Sequence, residues 1–133
     1  MIDTLARVEL AVLTGVFALV AGLGLLAPHV LFDTVHVVLE EPAALAEIRA
    51  AYFGLFGTAA FVYQLGFRRE TWRRPALRLA ALVLGGFTLG RLWSLAVDGL
   101  PSWVGWVNLS AEAIGLGLAL FLLNALGSGP TEA

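Results

Sequence analysis

Four apolar runs, each close to the length of a membrane crossing, fill most of this 133-residue chain. They cover about residues 10–27, 48–67, 76–97 and 103–126, and short polar stretches separate them. A helix of roughly 20 residues spans a hydrocarbon core of about 30 Å. The runs show no alternation of polar and apolar residues, so they do not read as barrel strands. In lipid a continuous apolar run must form helix to satisfy its own backbone groups. The expected fold is therefore all-α: one polytopic domain over residues 1–133, a bundle of four transmembrane helices.

Composition closes the soluble alternative. Hydrophobic residues make up 59% of the chain and charged residues 14%, against about 25% charged in soluble domains. So small a soluble protein would have too little polar surface to cover four such segments. The net charge of −2 gives no reason to expect nucleic-acid binding. There is no cysteine, which removes disulfides and thiolate chemistry. Both histidines, His29 and His36, fall in one connection, so no His/Cys metal cluster is expected. The N-terminal stretch mixes Asp3 and Glu9 with Arg7 and lacks the profile of a cleaved signal peptide.

Charge placement sets an expected orientation. Arg68, Arg69, Arg73 and Arg74 lie within RRETWRRP, read as the connection between the second and third spans. Short basic loops favour the cytoplasmic side, which puts both termini in the cytoplasm and the other two connections outside. The four tryptophans, Trp72, Trp93, Trp103 and Trp106, lie near span ends, as interfacial anchors do. The first connection, with Leu31, Val35, Val38 and Leu39 at near-helical spacing, is expected to hold a short amphipathic helix over the outer mouth. Asp33, His36, Glu40 and Glu41 fall nearer its other surface, and Pro42 would interrupt it.

Charges inside the spans carry the functional signal, because a charged group at a helix centre costs roughly 2.5–3.5 kcal/mol on translocon scales. Arg91 lies six residues before the end of the third span, about 9 Å deep. Glu112 lies nine residues into the fourth, about 14 Å deep. Antiparallel helices joined by a short connection bring these two to similar depth, and arginine can meet a carboxylate with two donors. Asn108 stands one turn before Glu112 on the same face. Glu47, Arg49 and Tyr52 enter the second span from the same side, with Ser94 and Asp98 at the end of the third. Glu47, Arg49, Tyr52, Arg91, Ser94, Asp98, Asn108 and Glu112 thus form one expected polar cluster opening outward. It reads either as a ligand-binding site or as a buried network that orients helices.

Small residues four apart, Ala50/Gly54, Gly86/Gly90, Ala111/Gly115 and Gly115/Ala119, suggest close helix packing. The glycines belong to no phosphate-binding motif, since no strand–turn–helix context surrounds them. No Ser–His–acid spacing supports catalysis, and nothing identifies a cofactor. The final GSGPTEA reads as a short flexible tail.

The segments EIRAAYFGLFG, GGFTLGRLWSLAVDGLPS and NLSAEAIGLGLAL, in that order, resemble the bacterial domain-of-unknown-function family 4345, small four-helix membrane proteins related to the DoxX-like group. Arg49, Tyr52 and Gly54 carry the first part. Gly90, Arg91, Asp98 and Gly99 carry a GR–DG signature, and Glu112 the acidic helix position after it. The first connection, with Glu40, Glu41 and Pro42, matches no signature. The resemblance implies a bacterial inner-membrane location and no established activity. The expected role is non-enzymatic: binding a small ligand, a lipid or a membrane partner through the polar cluster. The alternatives are a small transporter or ion- or proton-coupled component, enlarged by homo-oligomerisation, and a purely structural assembly protein. The DoxX-like association adds an accessory subunit of a membrane redox complex.

Overall fold

A computed structural model of the chain describes residues 1–35, 37 and 41–127. These residues are almost wholly helical and include no strand. The elements are α1 (Ile2–Leu26), α2 (Pro28–Asp33), α3 (Pro42–Tyr52), a wide π-type turn (Phe53–Gly57), α4 (Thr58–Arg68), α5 (Glu70–Val97) and α6 (Trp103–Gly127). With α3, the π turn and α4 running as one rod, four helices are long and apolar enough to cross a membrane.

The prolines and arginines shift the boundaries read from sequence. Pro28 and Pro42 each open a helix at its first turn, where the missing N–H is not needed and the fixed φ fits. The basic segment RRETWRRP is not a loop. Only Arg69 breaks the helix, with extended backbone at φ −121° and ψ 123°, and Glu70 to Pro75 already belong to α5. Pro75 is tolerated near the N-terminal end because it interrupts a single early hydrogen bond. Within the first connection α2 takes six residues and a turn follows at Thr34 and Val35. His36, Val38, Leu39 and Glu40 lie outside the described residues, as does the tail beyond Gly127.

Packing is uneven along the helices. One core joins Ala6, Leu10, Leu13 and Phe17 of α1 with Ala59, Ala60 and Tyr63 of α4. Ala76, Leu77, Ala80 and Leu84 of α5 and Ala119 and Leu122 of α6 complete it. The i, i+4 spacing of these positions puts each set on one helical face. All lie toward the end where α1 begins, α4 ends and α5 begins, the arginine end. There Arg73 pairs with Asp3 to tie α5 to α1, and the Arg7 guanidinium sits 5.4 Å from the Phe67 ring centroid. Toward the opposite end, the mouth, burial thins: α3 has no buried residue, α6 none before Ala119 and α5 none after Thr88, while α1 keeps Ala21 and Gly24 buried and α2 keeps Pro28. The helices are closed at the arginine end, and at the mouth α1 and α6 stand apart while α3 stays against α1.

Two glycines permit the tightest approaches. A side-chain carbon at Gly66 would fall 2.4 Å from Ala76 Cβ, and one at Gly24 would fall 2.5 Å from Tyr52 Cβ. The first clamps α4 to α5, and the second lets α3 lie against α1. Of the small-residue pairs expected to pack, only the α6 set meets a neighbour: a carbon at Gly115 would lie 2.9 Å from Leu84 Cδ1, and Ala119 is fully buried. Gly54, Gly86 and Gly90 face open space, with nothing within 4 Å. Their spacing is right for close approach, but no neighbouring helix comes within contact of them, and Gly90 borders a gap between α5 and α6.

Candidate functional site

The splay at the mouth leaves a cavity of about 920 Å³ between α1 and α6, roofed by Phe32, Thr34 and Val35. Pockets for small molecules measure roughly 300–1,000 Å³, so this one lies near the upper end. Its body is apolar: Val12, Val16 and Phe17 from α1, Leu84 and Phe87 from α5, Ile114 and Leu118 from α6. Polar groups gather toward the mouth, where Tyr52, Arg91, Asn108 and Glu112 share the wall.

One wall is aromatic. Tyr52 and Phe56 stack at 5.3 Å between centroids, and Phe56 stacks on Phe87 at 5.7 Å. Phe17 lies 5.2 Å from Phe56 and meets Tyr63 edge-on at 5.2 Å, while Phe32 meets Tyr52 at 5.4 Å. These separations fall in the range where aromatic pairs attract. Phe56 belongs to the π turn and Tyr52 immediately precedes it. Such turns occur often at functional sites, and here the irregular backbone presents the rings that face the cavity.

Arg91 and Glu112 meet as the depth argument expects. Arg91 Nε donates to Glu112 Oε2 at 2.7 Å, with side-chain exposures of 39% and 13%. Glu112 is therefore the buried member, and Arg91 the one facing outward. No other hydrogen bond of the Arg91 guanidinium is made to the described residues, so its terminal N–H groups are available to an occupant.

Arg91 also borders a second, smaller cavity of about 250 Å³ between the mouth ends of α5 and α6. Ser94 and Asp98 line that space, and Ser94 Oγ donates to Asp98 Oδ2 at 2.7 Å. Gly99 beside them has φ +97°, a conformation that residues with a Cβ rarely adopt. This gives the GR–DG segment a physical basis: Arg91 and Asp98 frame the small cavity, and Gly99 makes the turn into α6.

The remaining two residues of the expected cluster stand apart. Arg49 is exposed, and its Nε donates to the Leu25 carbonyl at 3.2 Å, capping the end of α1, where carbonyls lack helical partners. Glu47 is exposed and lines neither cavity. The eight residues thus divide into four in the large cavity, two beside the small one with Arg91 shared, and two on the outside. Trp93, next to the ion pair in sequence, points outward and is 71% exposed.

Two features escaped the sequence reading. The aromatic wall of Phe17, Phe56 and Phe87 reads along each helix as ordinary apolar residue. Glu9 falls outside the first apolar run, yet it is buried within α1 and lines the large cavity. A signal existed, since Glu9 stands four residues before Leu13 and beside Leu10, on the face that packs. Among the described residues no group of three or more His, Cys, Asp or Glu could hold a metal ion.

No curated protein and no solved structure matches the chain. A family model covers residues 5–123, nearly the whole helical part and both cavities. On that match the chain belongs to the family described as Domain of unknown function (DUF4345).

Proposed function

We propose that this multi-pass membrane protein binds an amphipathic, lipid-like molecule in the cavity between α1 and α6. The observation that carries the reading is the polarity gradient of one continuous space. Its apolar, partly aromatic body suits an acyl or ring system, and its mouth offers Arg91, Asn108 and Tyr52. Because Glu112 neutralises Arg91, the site favours a headgroup that accepts hydrogen bonds over one that relies on net negative charge. The mouth faces outward if the arginine end follows the positive-inside rule, with both termini on the cytoplasmic side of a bacterial inner membrane.

Filling the cavity tests this directly. Ala111→Phe and Val16→Phe add bulk to lining positions outside the packed core. Each should leave the helices assembled and reduce copurifying lipid, quantified by mass spectrometry after mild extraction, by about tenfold, the equivalent of 1.4 kcal/mol of affinity. Unchanged lipid content in both variants would contradict the assignment.

A further inference from the structure

The floor of the large cavity holds an acid that the mouth does not explain. Glu9 is 6% exposed, and its two carboxyl oxygens are closed off and bonded to none of the described residues. The Tyr63 hydroxyl, on the facing helix α4, is equally buried and equally without a partner among the described residues, and Tyr63 packs in one cluster with Leu10 and Leu13, the neighbours of Glu9 on α1. Buried polar groups are almost always hydrogen-bonded, so two orphans together call for a specific occupant.

The charged groups on the elements around Glu9 are committed elsewhere. Asp3 of α1 pairs with Nη1 of Arg73 on α5, whose Nε is buried without a partner among the described residues, and Arg7 lies over Phe67. Gln64 of α4, with its amide oxygen turned toward Arg68, accepts from Arg68 Nε at 2.7 Å. Arg74 and Arg78 of α5 are exposed, and Glu112 of α6 is held by Arg91. An ionised carboxylate without a cation or a donor is far costlier inside a membrane than the neutral acid.

We propose that Glu9 is a proton-binding site, a membrane-embedded carboxylic acid joined to the Tyr63 hydroxyl through one buried water. A water there would satisfy both groups, with the acid and the phenol each able to donate and accept. Glu112 already has a cationic partner in Arg91, so Glu9 is the cavity acid left without one among the described residues. Its place on the cavity wall links proton and occupant: loss of the proton would leave a charge beside the apolar body that takes the occupant, so proton and ligand favour each other's binding. That linkage rests on the ligand-binding reading, while the proton site itself does not.

Infrared spectroscopy of the full chain in lipid vesicles at neutral pH tests the site without any added ligand. A protonated carboxyl band, well separated from the carboxylate bands, is expected in the wild type. It should vanish in Glu9→Gln, persist in Glu112→Gln, and move to higher frequency in Tyr63→Phe as a hydrogen-bond connection is lost. Absence of the band from the wild type, or its survival in Glu9→Gln, would overturn the proposal, and an unmoved band in Tyr63→Phe would remove Tyr63 from the site.

Discussion

An Arg91→Leu protein should lose about 3 kcal/mol of stability, the low end of the range for breaking a buried ion pair from one side. The low end applies because Arg91 is partly open to solvent, with 39% of its side chain exposed against 13% for Glu112. What the substitution leaves behind is a carboxylate in a nearly closed position with no cation. The double variant Arg91→Leu/Glu112→Leu should regain most of the loss, since removing both partners leaves nothing uncompensated. Reversible unfolding of the four proteins in one detergent or bicelle system completes the cycle, whose coupling term isolates the pair. Additive losses would mean that the 2.7 Å contact contributes no coupling.

Gly66→Ala should cost about 2 kcal/mol, even though the new residue is the better helix former. The added carbon would meet Ala76 Cβ at 2.4 Å, Leu10 Cδ1 at 3.0 Å and the Trp72 carbonyl oxygen at 3.2 Å. Ala76 Cβ is fixed to its backbone, so α4 and α5 must separate. Overpacking costs roughly 1–3 kcal/mol, and the gain in helix propensity of about 1 kcal/mol offsets part of it. Gly86→Ala provides the contrast, because nothing lies within 4 Å of that position and only the propensity gain remains. Unfolding midpoints should therefore move in opposite directions. Equal effects at the two glycines would contradict the α4–α5 contact.

The number and character of the long helices were legible because a membrane crossing imposes a length and an apolar composition that few other structures share. The ends were less legible. Glu9 and Arg7 precede the first apolar run, whose helix is expected to begin a turn or two before Leu10, and α1 extends back through both to Ile2. RRETWRRP looked like a loop because it is charged, although charged side chains at a helix end cost little in water.

The ion pair was legible through depth, a quantity that residue counting supplies. Glu47 and Arg49 show the limit of that argument. They lie at a suitable depth, but depth says nothing of direction around the helix, and Arg49 turns to the end of α1 instead. Gly86 and Gly90 fail in the same way: spacing shows that they share a face, not that a neighbour meets it. The cavity was hidden for a related reason. It arises where α3 and the mouth half of α6 leave their faces unburied, and no single residue marks a place where packing stops.

A side-chain-resolution density map of protein extracted gently with its native lipid addresses the ligand reading most directly. The account predicts elongated density between Val12, Val16, Phe87 and Ile114, ending in a headgroup against Arg91 and Asn108. An empty cavity with α1 and α6 drawn together, and the Arg91–Glu112 pair sealed between them, would contradict it and leave the pair as an organiser of helices alone.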